Sequence, residues 1–98
     1  MLDRAQAIET LKSTRQYLGE HYGVNSMLLF GSVARNEQRE DSDVDLFVET
    51  QTANPFVLME AKEYLMKVMQ RPVDIIRNHK NLNPRLRKRI ERDGIPVF

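Results

Sequence analysis

No apolar stretch in this chain is long. The longest uninterrupted runs are four residues each, Met27 to Phe30 and Phe56 to Met59, so neither a membrane span nor a long, fully buried strand can be built from them. What remains is short strands and amphipathic helices that each bury one side, and 98 residues supply enough of these for one compact domain around one core. Residues 1–98 are therefore read as a single domain, with no room for a second one to shape a large substrate. Asp3 and Arg4 spoil a leader-like start, and the chain has no cysteine for disulfides or thiolate metal sites. A cytoplasmic protein is expected.

The elements follow from periodicity and punctuation. Asp3 stands three residues before Gln6 as a capping box, and Ile8, Leu11, Leu18 and Tyr22 keep near-helical spacing to a glycine cap at Gly23. Ser26 to Phe30 is a short apolar strand that stops at Gly31, and a short helix starts at Ser32. A polar loop, residues 36–42, leads into Asp43 to Glu49, where Val44, Leu46 and Val48 recur at every second position as a second strand. Asn54-Pro55 and Asn83-Pro84 each pair a capping side chain with proline at the first helical position. The first opens a helix with Leu58, Ala61, Leu65 and Val68 on one face, and the second opens one with Leu86 and Ile90 inward, stopped by Gly94. Between them Val73 to Ile76 is a third strand, giving the order α-β-α-β-α-β-α.

Chemistry concentrates in Gly31-Ser32-Val33-Ala34-Arg35 and Ser42-Asp43-Val44-Asp45-Leu46. Asp43 and Asp45 are two apart on an expected strand, so their side chains leave the same face with Cα atoms roughly 6.5 Å apart. Carboxylates that point together repel, and one pKa rises, unless a cation joins them. Magnesium suits an all-oxygen set, and two such ions about 3.5–4 Å apart can grip the attacking and leaving oxygens of a displacement at phosphorus. Asp74, between Val73 and Ile75 in the third strand, can complete the set. Gly31-Ser32 ends a strand and opens a helix, where close backbone approach, exposed amides and a hydroxyl favour phosphate. Arg35, one turn on, can reach the same phosphates or pair with Glu37 or Asp41 instead.

Gly31-Ser32, ten intervening residues and Asp43-Val44-Asp45 resemble the signature of the DNA polymerase β-like nucleotidyltransferase superfamily. The short chain is similar to its minimal nucleotidyltransferase branch, the antitoxins of HEPN/MNT toxin-antitoxin systems. The resemblance spans nearly the whole chain, with Arg71-Pro72-Val73-Asp74 as the third-strand segment. It implies an α+β fold, a small mixed three-stranded sheet flanked by about four helices. It also implies that Asp43, Asp45 and Asp74 hold two Mg2+ ions, that Gly31, Ser32, Arg35 and Ser42 hold ATP, and that Asp74 helps activate the acceptor hydroxyl. The implied activity is protein adenylylation, the transfer of AMP from ATP to a tyrosine of a HEPN-family RNase toxin.

Three other readings stay open from the residues alone: transfer to a small-molecule or RNA hydroxyl, a catalytically silent toxin-binding antitoxin, and a nucleic-acid-binding module. The last rests on charge. The net charge is +1, yet from Arg77 to Arg92 seven basic residues accompany one acidic residue, leaving the rest of the chain net acidic. That segment has no interleaved aromatic to stack on bases, so direct nucleic-acid binding is not expected. Arg85, Arg87 and Lys88 are candidates for docking a partner. His21 and His79 stand apart from the aspartates, and Met27, Met59, Met66 and Met69 read as core filling.

Overall fold

The capping box at Asp3 forms: its carboxylate accepts the Gln6 amide at 2.8 Å, and the Gln6 side chain accepts the Asp3 amide at 3.3 Å. In this computed structural model, which describes residues 3–98, α1 (Arg4–Lys12) runs from that cap. The expected single helix to Gly23 is broken in two, however, with α2 (Arg15–Tyr22) starting after Thr14. Two consecutive hydroxyls explain the break. Ser13 Oγ donates to the Thr10 carbonyl at 2.5 Å and the buried Thr14 Oγ1 to the Leu11 carbonyl at 2.6 Å, competing with the helical ladder. Gly23 then ends α2 in the left-handed region, at φ +68°.

The remaining elements are β1 (Val24–Phe30), α3 (Gly31–Ala34), β2 (Val44–Thr50), α4 (Pro55–Met69), β3 (Val73–Arg77), α5 (Pro84–Asp93) and β4 (Ile95–Pro96). The two asparagine caps act as read: Asn54 accepts the Phe56 amide at 3.0 Å and Asn83 the Arg85 amide at 2.9 Å. The sheet order is β3-β2-β1-β4. β1 and β2 are antiparallel, β2 and β3 are parallel with α4 as the crossover, and β4 lies antiparallel along the free edge of β1. The sheet thus has four strands where three are expected. β4 has two residues, too few to show a period, and its place is fixed by long-range pairing: the Val97 amide donates to the Met27 carbonyl at 2.8 Å and the Met27 amide to that of Phe98 at 3.0 Å.

Strand alternation divides the interior. Val44, Leu46 and Val48 join Leu29 and Val73 on one face, against Ala7, Leu11, Leu18, Ala61, Leu65 and Met69 from α1, α2 and α4. Phe30, Phe47 and Ile90, with Leu28, Ile76 and Leu86 packed around them, form a second cluster on the opposite face, under α5. Asp45 and Asp74 share strand parity with Phe47 and Ile76, which puts them on the α5 side. No helix among the described residues is long and apolar enough to cross a membrane.

Leu46 has no exposed surface and sits mid-sheet. Leu46→Ala is expected to lower unfolding free energy by about 2–5 kcal/mol. Phe56→Ala, at a side chain 70% exposed, is expected to change it by less than about 0.5 kcal/mol. Denaturant titration of both variants checks the assignment of core and surface.

Candidate functional site

The aspartates gather where β1 ends and β2 and β3 begin. Antiparallel pairing sets Asp45 opposite Phe30, and parallel pairing sets Asp74 beside Asp45. Asp43 lies one residue before β2 rather than inside it, and is exposed, as is Asp74, while Asp45 is half-buried. The segment before β2 is pinned at three points. The Val44 amide donates to the Pro72 carbonyl at 2.9 Å, the Arg39 amide donates to Ser42 Oγ at 2.7 Å, and Arg71 Nη1 donates to the Ser42 carbonyl at 3.4 Å. Ser42 is thereby a turn-closing residue that holds Asp43 in place. Arg71 carries no sequence signal for that role.

Gly31 follows Phe30 directly and has φ +76°, in the region that favours glycine. A Cβ there would overlap Asp45 Oδ2 and lie 3.0 Å from Asp45 Cγ. The Gly31-Ser32 turn therefore abuts the central carboxylate, with Ser32 half-buried in the single turn of α3.

Burial, then the charges of Asp74 and Asp43, push the Asp45 carboxyl above the usual carboxylate range, while Arg35 and Arg89 pull it back. Among the described residues no salt bridge relieves this crowding. The ion pairs among the described residues are Arg35 with Glu37 at 3.1 Å, Arg35 with Asp93 at 3.2 Å, and Arg92 with Asp93 at 3.1 Å. Arg35 is thus held by two acids, one foreseen and one, Asp93, visible only in the fold. Hydrogen bonds from Arg92 and Arg35 hold Asp93 below the usual range.

The other basic candidates separate. Arg85 and Lys88 are exposed. Arg87 is half-buried and donates to Asn78 Oδ1 at 2.8 Å and the His79 carbonyl at 3.0 Å, tying α5 to the loop after β3. His79 Nδ1 accepts the Asn81 amide, and the His21 ring lies tilted against Tyr17 with centroids 4.0 Å apart.

No three His, Cys, Asp or Glu side chains among the described residues form a ready metal cage. The aspartates nonetheless suit a hard cation: all donors are oxygens, their charges crowd Asp45, and no ion pair among the described residues neutralises them. Magnesium retains water and takes substrate phosphate oxygens, so a complete protein cage is not required. A cavity of about 590 Å³ opens elsewhere, lined by Lys12, Arg15, Glu20 and Asn25 among others and by none of the aspartates. Concavity is not what marks this site.

Comparison with known proteins agrees with this geometry. The profile of the polymerase β nucleotidyltransferase family matches residues 12–98. A Methanocaldococcus jannaschii protein assigned as a protein adenylyltransferase is 41% identical over 92 residues, 91% of this chain and 92% of that one. A solved structure assigned as a minimal nucleotidyltransferase superposes with TM-score 0.77 at 32% identity, covering 97% of this chain and 96% of the other. The MNT antitoxin in complex with the tri-AMPylated Shewanella oneidensis HEPN toxin shares the fold, with TM-score 0.60 at 17% identity, over 97% of this chain and 68% of that one.

Because the folded pKa of Asp45 is raised, its ionised form opposes folding, and its favourable contribution is lost as pH rises through that pKa. In metal-free buffer Asp45→Asn is expected to be more stable than the parent at pH 7, with the gap closing as pH falls below the carboxylate range. Gly31→Ala is expected to cost at least about 1–2 kcal/mol for its left-handed backbone alone, besides displacing Asp45. Thermal unfolding across pH reads both; an Asp45→Asn variant less stable than the parent at neutral pH would contradict the crowding.

Proposed function

The chain belongs to the polymerase β nucleotidyltransferase family, and from that premise we propose that it is a protein adenylyltransferase, the antitoxin partner of a HEPN-family RNase toxin. The observation that carries the reading is the meeting of Asp45 with both Asp74, in register across β2 and β3, and the Gly31 turn, where an added Cβ would overlap the Asp45 carboxylate. Carboxylates and a phosphate-accepting turn are what a displacement at phosphorus needs side by side. The assignment of a relative 41% identical over most of both chains supports the transfer to protein. The fold shared with an antitoxin bound to a tri-AMPylated HEPN toxin supports the partner.

In this reading Gly31 and Ser32 seat the triphosphate of ATP, and Ser42 holds the loop that presents Asp43. Asp43, Asp45 and Asp74 would hold two magnesium ions, which when bound supply charge stabilisation at the phosphoryl oxygens. Asp74 accepts the proton of the acceptor hydroxyl. The acceptor oxygen bonds to the α-phosphorus, the α–β bridging bond breaks, and its electron pair leaves on pyrophosphate. In-line attack needs the acceptor oxygen about 3–3.5 Å from the phosphorus, and in this reading a docked partner sets its tyrosine hydroxyl there. Arg85 and Lys88, exposed on α5, offer an acidic partner a place to dock.

Asp43→Asn and Asp45→Asn are each expected to slow transfer about a hundredfold or more while leaving the fold intact. Magnesium with ATP is expected to raise the parent's unfolding midpoint more than magnesium alone. The decisive measurement is mass spectrometry of a co-expressed HEPN partner, which should gain AMP units with the parent protein and none with either variant. Unmodified partner alongside efficient adenylylation of a small alcohol would refute the protein acceptor.

A further inference from the structure

Helix α5 has two polar shoulders beside its buried stripe of Leu86 and Ile90. One is Arg87, which reaches Asn78 and the His79 carbonyl at the β3 end. The other is the line through Arg89 and Asp93, four residues apart and so offset by only about 40° around the helix. Asp93 fixes where that line points: it pairs with Arg35, the residue that ends α3, at 3.2 Å. α5 packs against α3, and Ile90 packs with Phe30, the residue before Gly31. Arg89 thus lies one turn back along α5 on the shoulder facing the Gly31-Ser32 turn, and its charge is felt at Asp45.

The neighbouring cations are spoken for. Arg35 is shared between Glu37 and Asp93, Arg92 is held by Asp93, and Arg87 tethers the loop after β3. Arg89, among the described residues, has no ion pair or hydrogen bond of its own. Nothing within the fold explains an always-charged guanidinium beside the triphosphate turn, whereas a bound anion would use its planar donors.

We propose that Arg89 is a substrate-binding residue of the transfer reaction, holding the β- and γ-phosphates of ATP, the part that departs as pyrophosphate. This rests on the nucleotidyltransferase reading of the Asp43, Asp45 and Asp74 site and adds a group from a helix outside that motif. As the α–β bond breaks, negative charge accumulates on the departing pyrophosphate, and a guanidinium on the α5 side can offset it without a proton transfer. Arg35, which occupies the position where sequence alone places that cation, serves instead through Asp93 to hold α5 against α3, and so positions Arg89.

The test separates the phosphates by comparing two ligands. Binding of adenylyl imidodiphosphate with magnesium, and of AMP, is measured by calorimetry for the parent, Arg89→Ala, Arg89→Lys and the charge-matched α4 control Lys62→Ala. Arg89→Ala should bind the triphosphate analogue about tenfold more weakly or worse, with AMP affinity and unfolding midpoint unchanged. Arg89→Lys should recover part of the loss, Lys62→Ala should match the parent, and the parent's advantage should shrink as salt rises. Equal weakening toward both ligands, or an undiminished triphosphate affinity in Arg89→Ala, would overturn the role of Arg89 while leaving the nucleotidyltransferase reading standing. A parent protein that binds neither nucleotide would remove that reading, and the Arg89 proposal with it.

Discussion

The close approach of Gly31 to Asp45 is the constraint on which the rest of this small fold depends. Antiparallel pairing of β1 with β2 sets Phe30 opposite Asp45, so the residue after Phe30 must turn away without a side chain or strike the carboxylate. Gly31 does so at φ +76°, and α3 begins there. The strand-to-helix turn and the central carboxylate are thereby a single local solution. A side chain at Gly31 would displace the carboxylate.

That solution has an energetic cost that the remaining structure offsets. Half-buried Asp45 is crowded by Asp74 and Asp43 with no ion pair among the described residues to relieve it, an arrangement that an apolar or neutral set would improve. The opposite face of the sheet provides the stability, through Leu46, Leu29, Leu11, Leu18 and Leu65, all essentially without exposed surface. The α5 face carries only the smaller cluster around Phe30, Phe47 and Ile90. Stability and chemistry are therefore divided between the two faces of one sheet, and strand alternation at β2 makes the division: Val44, Leu46 and Val48 to the core, Asp45 and Phe47 to the site.

Most of this was legible from local pattern. The Asp3, Asn54 and Asn83 caps, the alternation in β2 and the glycine stop at Gly23 each depend on residues adjacent in sequence, and each appears where the pattern puts it. The Gly31-Ser32 and Asp43-Val44-Asp45 motifs are joined in sequence by their chemistry and by the family signature they resemble, and antiparallel pairing of β1 with β2 brings them together in the fold. What escaped notice depends on distance. β4 is defined by its pairing with Leu28 and Leu29, the Arg35–Asp93 ion pair spans 58 residues, and Arg71 braces a loop 29 residues earlier. The split between α1 and α2 has a local cause that apolar periodicity does not report: the spacing through Leu11 and Leu18 continues unbroken, while the Ser13 and Thr14 hydroxyls turn inward on their own helix.

The ion pair of Arg35 with Asp93 also explains how so short a chain can keep an open site ordered. α5 crosses the sheet on only a small apolar cluster, and a helix so lightly packed would be free to shift relative to the Gly31 turn. Two polar ties at opposite ends limit that freedom, Arg87 to Asn78 near the start and Asp93 to Arg35 near the finish. Each tie is weak alone because it is partly exposed. Together they fix the rotation of α5 about its own axis, which a greasy contact does not do well and which decides whether Arg89 faces the aspartates or the solvent. The basic character of the segment is in this respect uneven. Arg87 and Arg92 are engaged within α5 and its flanks, Arg85 and Lys88 are exposed, and the charge of Arg89 acts on Asp45, so a run that reads as one patch in sequence serves separate purposes in the fold.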